Sequence, residues 1–143
     1  MLVIREFEAD RDYQVVFELW KTAGLLIRPS DTLDEVRKKL ERDRDLFLVA
    51  EEDGAVVGAV MGGWDGRRGW VYHLAVDRAR QRNGIGRQLM AELERRLRAK
   101  GALKINLQVY RDNVAAQEFY QKLGYSLACE ILSMGKELTD NDA

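Results

Sequence analysis

The chain has 143 residues, the usual size of one domain, and 46% of them are hydrophobic, enough for a core and too many for a disordered chain. Its 23 Lys and Arg and 24 Asp and Glu give a net charge of −1, so no overall field attracts nucleic acid or an anionic membrane. The longest uncharged apolar run, residues 55–64, is well short of the ~20 residues of a membrane span. Because the first residues also lack a secretory signal pattern, we expect a cytoplasmic protein.

The cysteine and histidine content excludes an internal disulfide and a structural zinc site. Cys129 is the only cysteine in the sequence and His73 the only histidine. A lone cysteine forms no internal disulfide, and the pair supplies too few ligands for structural zinc. We therefore expect no metal.

The first part of the chain predicts one strand and two helices. Residues 2–7 have the β-branched, partly alternating pattern of a strand. Asp10 or Asp12 is expected to cap the following helix, and Gly24 to end it. A second helix over residues 32–43 begins with capping-box spacing.

Two further strands form the clearest local signal. Residues 46–52 and 55–61 are mostly apolar, and Asp53 and Gly54 between them suit the positive φ values of a tight hairpin turn. A glycine-rich loop at residues 62–69 then leads into a fourth strand over residues 70–76.

The pattern becomes helical after residue 83. Apolar residues recur at every fourth position and form one stripe: Ile85, Leu89, Leu93 and Leu97. Gly101 is expected to end this helix, ahead of a fifth strand over residues 104–110. Only residues 70–110 provide a crossover long enough for parallel strand pairing.

The end of the chain predicts a last helix and a strand-forming tail. Asn113 is expected to cap the helix and Gly124 to end it. Residues 125–138 predict one or two strands, and residues 139–143 are expected to fray. The element order predicts an α+β fold with a mixed sheet.

The segment from Gln81 to Gly86 is the strongest candidate for an anion site. It lies between a strand and a long helix, whose first amide groups carry a partial positive charge. Gly84 and Gly86 allow close backbone approach, and Arg82 and Arg87 add charge. Neither a dinucleotide fingerprint nor a Walker A loop is present, and an ordinary glycine-rich helix entry is the alternative.

A second motif lies downstream, with Asn, Ala, Phe-Tyr and Gly-Tyr at fixed spacing across residues 113–125. Together with the glycine segment, it resembles the GCN5-related N-acetyltransferases, the GNAT superfamily. Residues 46–51, 60–69 and 132–136 further resemble its bacterial YpeA subfamily. The resemblance implies a single domain over residues 1–143, with a mostly antiparallel sheet of six or seven strands, a splayed parallel pair of fourth and fifth strands and about four helices.

The resemblance also implies a reaction: transfer of acetyl from acetyl-CoA to a primary amine, by direct attack in a ternary complex. Tyr120 would be the general acid at the thioester sulfur, and a strand-four amide near Leu74 would polarise the carbonyl. The residues implied to bind the cofactor are Leu74, Ala75, Val76, Arg82, Asn83, Gly84, Ile85, Gly86, Arg87, Asn113, Ala116 and Tyr120.

Each side-chain role has a plainer alternative. Tyr120 shares a helix face with apolar residues and would fit in a core. Asn113 is a good helix cap, a role compatible with cofactor binding. His73, beside the implied acetyl site, is a weak candidate base and fits a structural role better.

The general base is the least defined part of this prediction. GNAT enzymes that acetylate ribosomal-protein N-termini have a glutamate in strand five, where this chain has Gln108, which accepts no proton. His73, a water chain, Glu18 or Asp65 are the remaining candidates. Apolar residues that could line the acceptor pocket are Trp20, Leu25, Leu26, Ile27, Trp64 and Trp70.

Two other functions stay open at this point. The missing glutamate would also fit a non-catalytic CoA-binding sensor or interaction module. A nucleic-acid binder is weaker, because no recognition motif accompanies the arginines it would use: Arg67, Arg68, Arg78, Arg80, Arg82 and Arg87. We expect acetyl-CoA and an amine as partners, no nucleic acid or membrane, and a monomer or homodimer.

Overall fold

The structure is a computed structural model and describes residues 1–138. The chain forms two compact units, one of residues 1–108 and one of the residues that follow. The expected single domain stays a prediction. The expected fraying of residues 139–143 lies outside the described residues.

The first unit contains five strands, three α-helices and three short 3-10 helices. The strands are β1 (Leu2–Glu6), β2 (Phe47–Glu52), β3 (Ala55–Trp64), β4 (Gly69–Val76) and β5 (Ile105–Leu107). The α-helices are α1 (Ala9–Thr22), α2 (Leu33–Asp43) and α3 (Ile85–Lys100). The 3-10 helices are Pro29–Asp31, Arg44–Leu46 and Arg78–Asn83.

The five strands form one mixed sheet in the order β1-β2-β3-β4-β5. The first three pairings are antiparallel, and β4 pairs with β5 in parallel. The predicted hairpin turn joins β2 and β3, with Asp53 at φ 53° and Gly54 at φ 84°. The predicted α+β fold and the parallel fourth and fifth strands are confirmed.

The parallel pair separates after three residues. β4 and β5 pair from Gly69 with Ile105 to Val71 with Leu107. On its other side β4 stays paired with β3 as far as Val76, opposite Gly58. Within residues 1–108, the β5-facing edge of β4 therefore has no strand partner from Tyr72 to Val76.

The core lies on both faces of this sheet. Ala59 of β3 packs in the cluster formed with α1 and α2, whereas its neighbour Gly58 faces Ile85 and Leu89 of α3. All four residues of the predicted stripe on α3 are buried: Ile85, Leu89, Leu93 and Leu97. The stripe therefore anchors α3 on the sheet, as predicted.

The capping predictions for the first two helices have different outcomes. Thr32 caps α2 by accepting from the Glu35 N–H at 3.3 Å. The predicted capping of α1 by Asp10 or Asp12 is wrong, because α1 begins at Ala9 with Glu8 as its N-cap and no side-chain cap. The Asp12 carboxylate instead accepts two hydrogen bonds from Arg5, at 2.7 and 2.9 Å.

The second unit contains α4 (Val114–Lys122), capped by Asn113 as predicted, whose side chain accepts from the Ala116 N–H at 3.1 Å. Gly124 follows at φ 99°. The predicted strands over residues 125–138 are not formed, so the described sheet has five strands rather than six or seven. A strand needs a paired backbone, and here the Ile131 N–H donates to the Ala128 carbonyl in a local turn.

Candidate active site

The entry to α3 has an uncapped N-terminus. Asp77 caps the preceding 3-10 helix by accepting from the Ala79 N–H at 3.1 Å. Gly84, the N-cap of α3, is left-handed at φ 76° and offers no side-chain hydrogen bond. The first amide groups of the helix, from residues 85–87, are therefore open to a ligand. Ile85 is 1% exposed and holds this turn against the sheet.

The arginines around this entry differ in availability. Arg78 donates to the Thr22 carbonyl at 3.1 Å, and Arg80 pairs with Glu52. Arg82 and Arg87 are exposed and form no ion pair within residues 1–138. Two of the four charges are thus available to an anion.

The N-terminus of α3 has the space that a bound phosphate needs. A Cβ built on Gly84 meets no heavy atom within 4 Å, so the space in front of this backbone is open. Open amides, two unpaired guanidinium groups and open space are what a phosphate requires. The residues present therefore fit the pyrophosphate of CoA.

The unpaired edge of β4 includes the three residues predicted to bind pantetheine. Leu74 and Val76 are half-buried, and the Ala75 side chain is 3% exposed in the core cluster. Since the edge has no strand partner there within this unit, its N–H and C=O groups can pair with an extended ligand.

A cavity of about 560 Å³ opens between the Pro29–Asp31 segment, α2, the end of β3 and the middle of β4. We call it the acceptor cavity. It is lined by Ser30, Asp31, Glu35, Lys39, Arg42, Asp43, Met61, Trp64, Asp65, Tyr72, His73 and Gln108. Trp64 was predicted to line an acceptor pocket, whereas Trp20 lies fully buried in the core and Leu26 and Ile27 are exposed.

His73 and Asp31 form a buried pair in the cavity wall. The His73 Nε2 lies 2.8 Å from Asp31 Oδ1, and Nδ1 lies 2.8 Å from the Tyr72 carbonyl oxygen. The ring also packs edge-on against Trp20, with centroids 4.9 Å apart. Both nitrogens of His73 thus face protein oxygen atoms.

Tyr72 is the aromatic wall of the cavity. Its ring lies across Gly63, where a Cβ would be 2.6 Å from the ring, and Lys39 Nζ lies 5.2 Å from its centroid. Burial, together with the charges of Asp43 and Asp65, raises the pKa of Tyr72. The hydroxyl therefore stays protonated and can donate to a ligand.

The other carboxylates of the cavity are already engaged. Asp43 pairs with Lys39 at 2.7 Å, and Glu35 pairs with Lys38. Asp65 accepts from two N–H groups of its own turn, those of Arg68 and Arg67, and they lower its pKa. Asp65 is thus a weak base, and Glu18, the other acidic candidate, pairs with Lys21 outside the cavity lining.

Tyr120 lies on α4 in the second unit. Its ring packs edge-on against Phe119 and Tyr125, with centroids 5.1 and 5.6 Å away. Burial raises the pKa of Tyr120 to about 12. The phenol is therefore protonated at neutral pH, as a proton donor must be.

Comparisons with known proteins identify the family of this chain. The model of the acetyltransferase (GNAT) family matches residues 13–125. This chain belongs to the GNAT family. It is 43% identical over 138 residues to an acetyltransferase of Sodalis glossinidius, and the match covers 96% of each chain. The YpeA subfamily stays a prediction.

Two solved structures show the same GNAT fold. Ard1 from Thermoplasma volcanium superposes with a TM-score of 0.81 at 26% identity, covering 89% of this chain and 84% of that one. The PaiA N-acetyltransferase from Thermoplasma acidophilum, solved in complex with coenzyme A, gives 0.75 at 22% identity, covering 86% and 88%. No helix within residues 1–138 of this GNAT protein combines the length and the apolar character needed to cross a membrane.

The predicted GNAT site residues fall into both units. The β4 edge and residues 82–87 lie in the first unit, whereas Asn113, Ala116 and Tyr120 lie in the second. Sequence reasoning missed Asp31, Tyr72 and Lys39. Asp31 lies 42 positions from its partner, and a single sequence carries no local signal for such a pair.

Proposed function

We propose that this protein transfers the acetyl group of acetyl-CoA to a primary amine. One observation carries the proposal: within one unit, an unpaired strand edge, at β4, leads into an uncapped helix N-terminus, at α3. An extended arm that ends in a pyrophosphate matches such a surface. Membership of the GNAT family supports the same assignment.

Each predicted residue has a role in this proposal. Backbone groups of residues 74–76 hold the pantetheine arm, and the amides of residues 85–87 with Arg82 and Arg87 hold the pyrophosphate. Asn83, Gly84 and Gly86 shape that turn. Asn113, the N-cap of α4, and Ala116 in its first turn contact the cofactor. When bound, acetyl-CoA supplies an acyl group activated as a thioester.

Tyr120 donates a proton or hydrogen bond to the departing thiolate, a task for which its raised pKa keeps it protonated. The amine enters through the acceptor cavity, whose wall includes Tyr72 and His73 of β4. Since both His73 nitrogens and the cavity carboxylates are engaged, we assign proton removal from the amine to water in the cavity.

The test combines binding with turnover. Saturating acetyl-CoA should raise the melting temperature, because a ligand selective for the native state stabilises it. Thiol release is then measured with spermidine, L-lysine, kanamycin and a peptide with a free N-terminal alanine. Release with at least one of these amines is expected, and an unmoved melting curve would end the proposal.

Tyr120→Phe tests the proton donor. We expect unchanged acetyl-CoA binding and thiol release slower by about 100-fold or more, the range of a lost general acid. Tyr110→Phe is the matched control, since Tyr110 is in the same unit and 62% exposed. Equal turnover of both variants would remove Tyr120 from the mechanism.

A CoA-binding sensor is the second candidate, and Gln108 is the observation that favours it. This residue lines the acceptor cavity, and its amide accepts no proton from an amine. A melting shift with acetyl-CoA and no thiol release from any amine would support the sensor over the enzyme.

A further inference from the structure

The hydrogen-bonded pair of Asp31 and His73 is not explained by the proposed chemistry. The Asp31 side chain is 4% exposed and that of His73 17%, and their atoms are 2.8 Å apart. Burying charged groups is costly, and apolar residues of similar size often stabilise a fold as well. A buried pair in the wall of a candidate substrate cavity is therefore better explained by a positional role.

Asp31 ends a segment that is internally rigid. Its Oδ2 accepts from the Arg28 N–H at 2.9 Å, and its own N–H donates to the Arg28 carbonyl at 2.9 Å. The Tyr13 hydroxyl of α1 donates to the Asp31 carbonyl oxygen at 2.8 Å. The remaining carboxylate oxygen, Oδ1, faces His73. Residues 28–31 thus form a closed, hydrogen-bonded turn.

His73 is held in one orientation on β4. Its Nδ1 faces the Tyr72 carbonyl, and its ring rests edge-on against Trp20. A carbonyl and a carboxylate only accept, so a protonated nitrogen of the ring donates to the oxygen that it faces. The ring orientation therefore directs Nε2 at Asp31.

We propose that Asp31 and His73 are positioning residues that fix residues 28–31 against β4 and thereby set the width of the acceptor cavity for the amine. The inference rests on the proposed function, because β4 is there the strand that holds the thioester. Ser30 and Asp31 line one side of the cavity, and Tyr72 and His73 line another. Loss of the pair would loosen amine binding and leave acetyl-CoA binding intact.

Two variants of His73 test the pair. His73→Phe keeps a ring for Trp20 and removes both hydrogen bonds, whereas His73→Gln places an amide N–H where Nε2 lies. For each amine of the panel that the wild type acetylates, we expect His73→Phe to raise the amine KM about tenfold, the effect of one lost hydrogen bond to a charged group. His73→Gln should have an amine KM close to that of the wild type. In both variants, acetyl-CoA should raise the melting temperature as much as it does in the wild type.

Val49→Ala is the control for a merely structural role. Val49 is fully buried in the core and is not among the cavity residues, so its truncation lowers stability alone. An unchanged amine KM in His73→Phe, or an equal rise in Val49→Ala, would overturn the inference.

Hydrogen exchange separates this inference from the proposed function. The amides of Arg28 and Asp31 should exchange faster in His73→Phe than in the wild type and Val49→Ala, with no ligand present. If the wild type releases no thiol, the proposed enzyme fails, and the positioning role for an amine fails with it. Faster exchange in that case would show that the pair still holds the turn.

Discussion

The cofactor region and the acceptor cavity lie along the same strand, β4, but are built from different parts of the chain. The proposed cofactor region consists mainly of backbone, the unpaired edge of β4 and the open amides at the start of α3, with the side chains of Arg82 and Arg87 beside them. The acceptor cavity consists of side chains from the Pro29–Asp31 segment, α2, β3 and β4. Backbone recognition constrains few side chains, so it can be shared by chains of low identity, whereas side-chain walls set what each protein accepts.

Substitutions in the two regions should therefore have separable effects. Changes at the α3 entry should alter acetyl-CoA binding, and changes in the cavity wall should alter the amine KM. A variant that lowers stability but lies in neither region provides the reference.

Asp12→Asn is that reference and has the largest expected effect. Asp12 is 1% exposed and binds Arg5 through both carboxylate oxygens. Its replacement by asparagine leaves the Arg5 guanidinium poorly paired. Among the described residues, Glu51 is then the only carboxylate that still binds Arg5. We expect a loss of about 3 kcal/mol of unfolding free energy. Denaturant unfolding measures this loss, and acetyl-CoA affinity should be unchanged.

The loss of unfolding free energy in Asp12→Asn should depend on pH. Burial alone would raise the pKa of Asp12, but the hydrogen bonds from Arg5 and the Glu8 N–H outweigh it and lower the pKa. The stabilisation is thus present above the unfolded value of 3.8 and is lost as pH falls through the lower folded value. The difference from wild type should shrink as the pH falls below 3.8. Asp10→Asn, at an exposed pair with Arg37, is the control, and a pH-independent difference would contradict the assignment.

The double variant Arg82→Gln and Arg87→Gln tests the cofactor region. Both side chains are exposed, so we expect acetyl-CoA to bind about 10-fold to 100-fold more weakly, with less salt dependence. Calorimetry at two salt concentrations measures this effect. Arg95→Gln is the control on the same helix, since Arg95 pairs with Glu92. A raised amine KM with unchanged acetyl-CoA affinity would contradict the contrast between the two regions.

Gly84→Ala has the smallest expected effect. No atom obstructs a Cβ there, but φ is 76°, and a left-handed alanine costs about 1 kcal/mol. We expect a slightly lower melting temperature and weaker acetyl-CoA binding as the turn relaxes. Gly135→Ala is the control, because its built Cβ also meets nothing within 4 Å and its φ is not positive. Equal melting temperatures for the two variants would show that the turn adapts without strain.

Local sequence signals predicted most of the first unit. The Asp53 and Gly54 turn, the Thr32 cap and the stripe on α3 each depend on residues close in sequence, and all three are confirmed. The glycine entry to α3 also followed from local pattern. These features share one cause: short-range backbone geometry restricts which residues fit.

The other features were predicted wrongly or missed because they depend on contacts between residues far apart in the sequence. The Asp12 carboxylate binds Arg5 instead of capping its helix, a choice set by the position of β1. Residues 125–138 have a strand-like composition, but a strand also requires a neighbouring backbone, which composition does not report. Asp31 and His73 likewise meet only when the sheet has formed.

Gly62 of β3 and Gly69 of β4, which lie under the second half of α3, have a mechanical consequence. A Cβ on Gly62 would lie 2.5 Å from Leu93, and one on Gly69 would lie 2.8 Å from Leu97, so the second half of the helix is seated directly on sheet backbone. A helix of 16 residues is a stiff rod about 24 Å long. Displacing this half by the width of a methyl group would shift the whole rod, including the open amides at its start. Mutations selected for altered cofactor affinity should therefore include positions that never approach the cofactor.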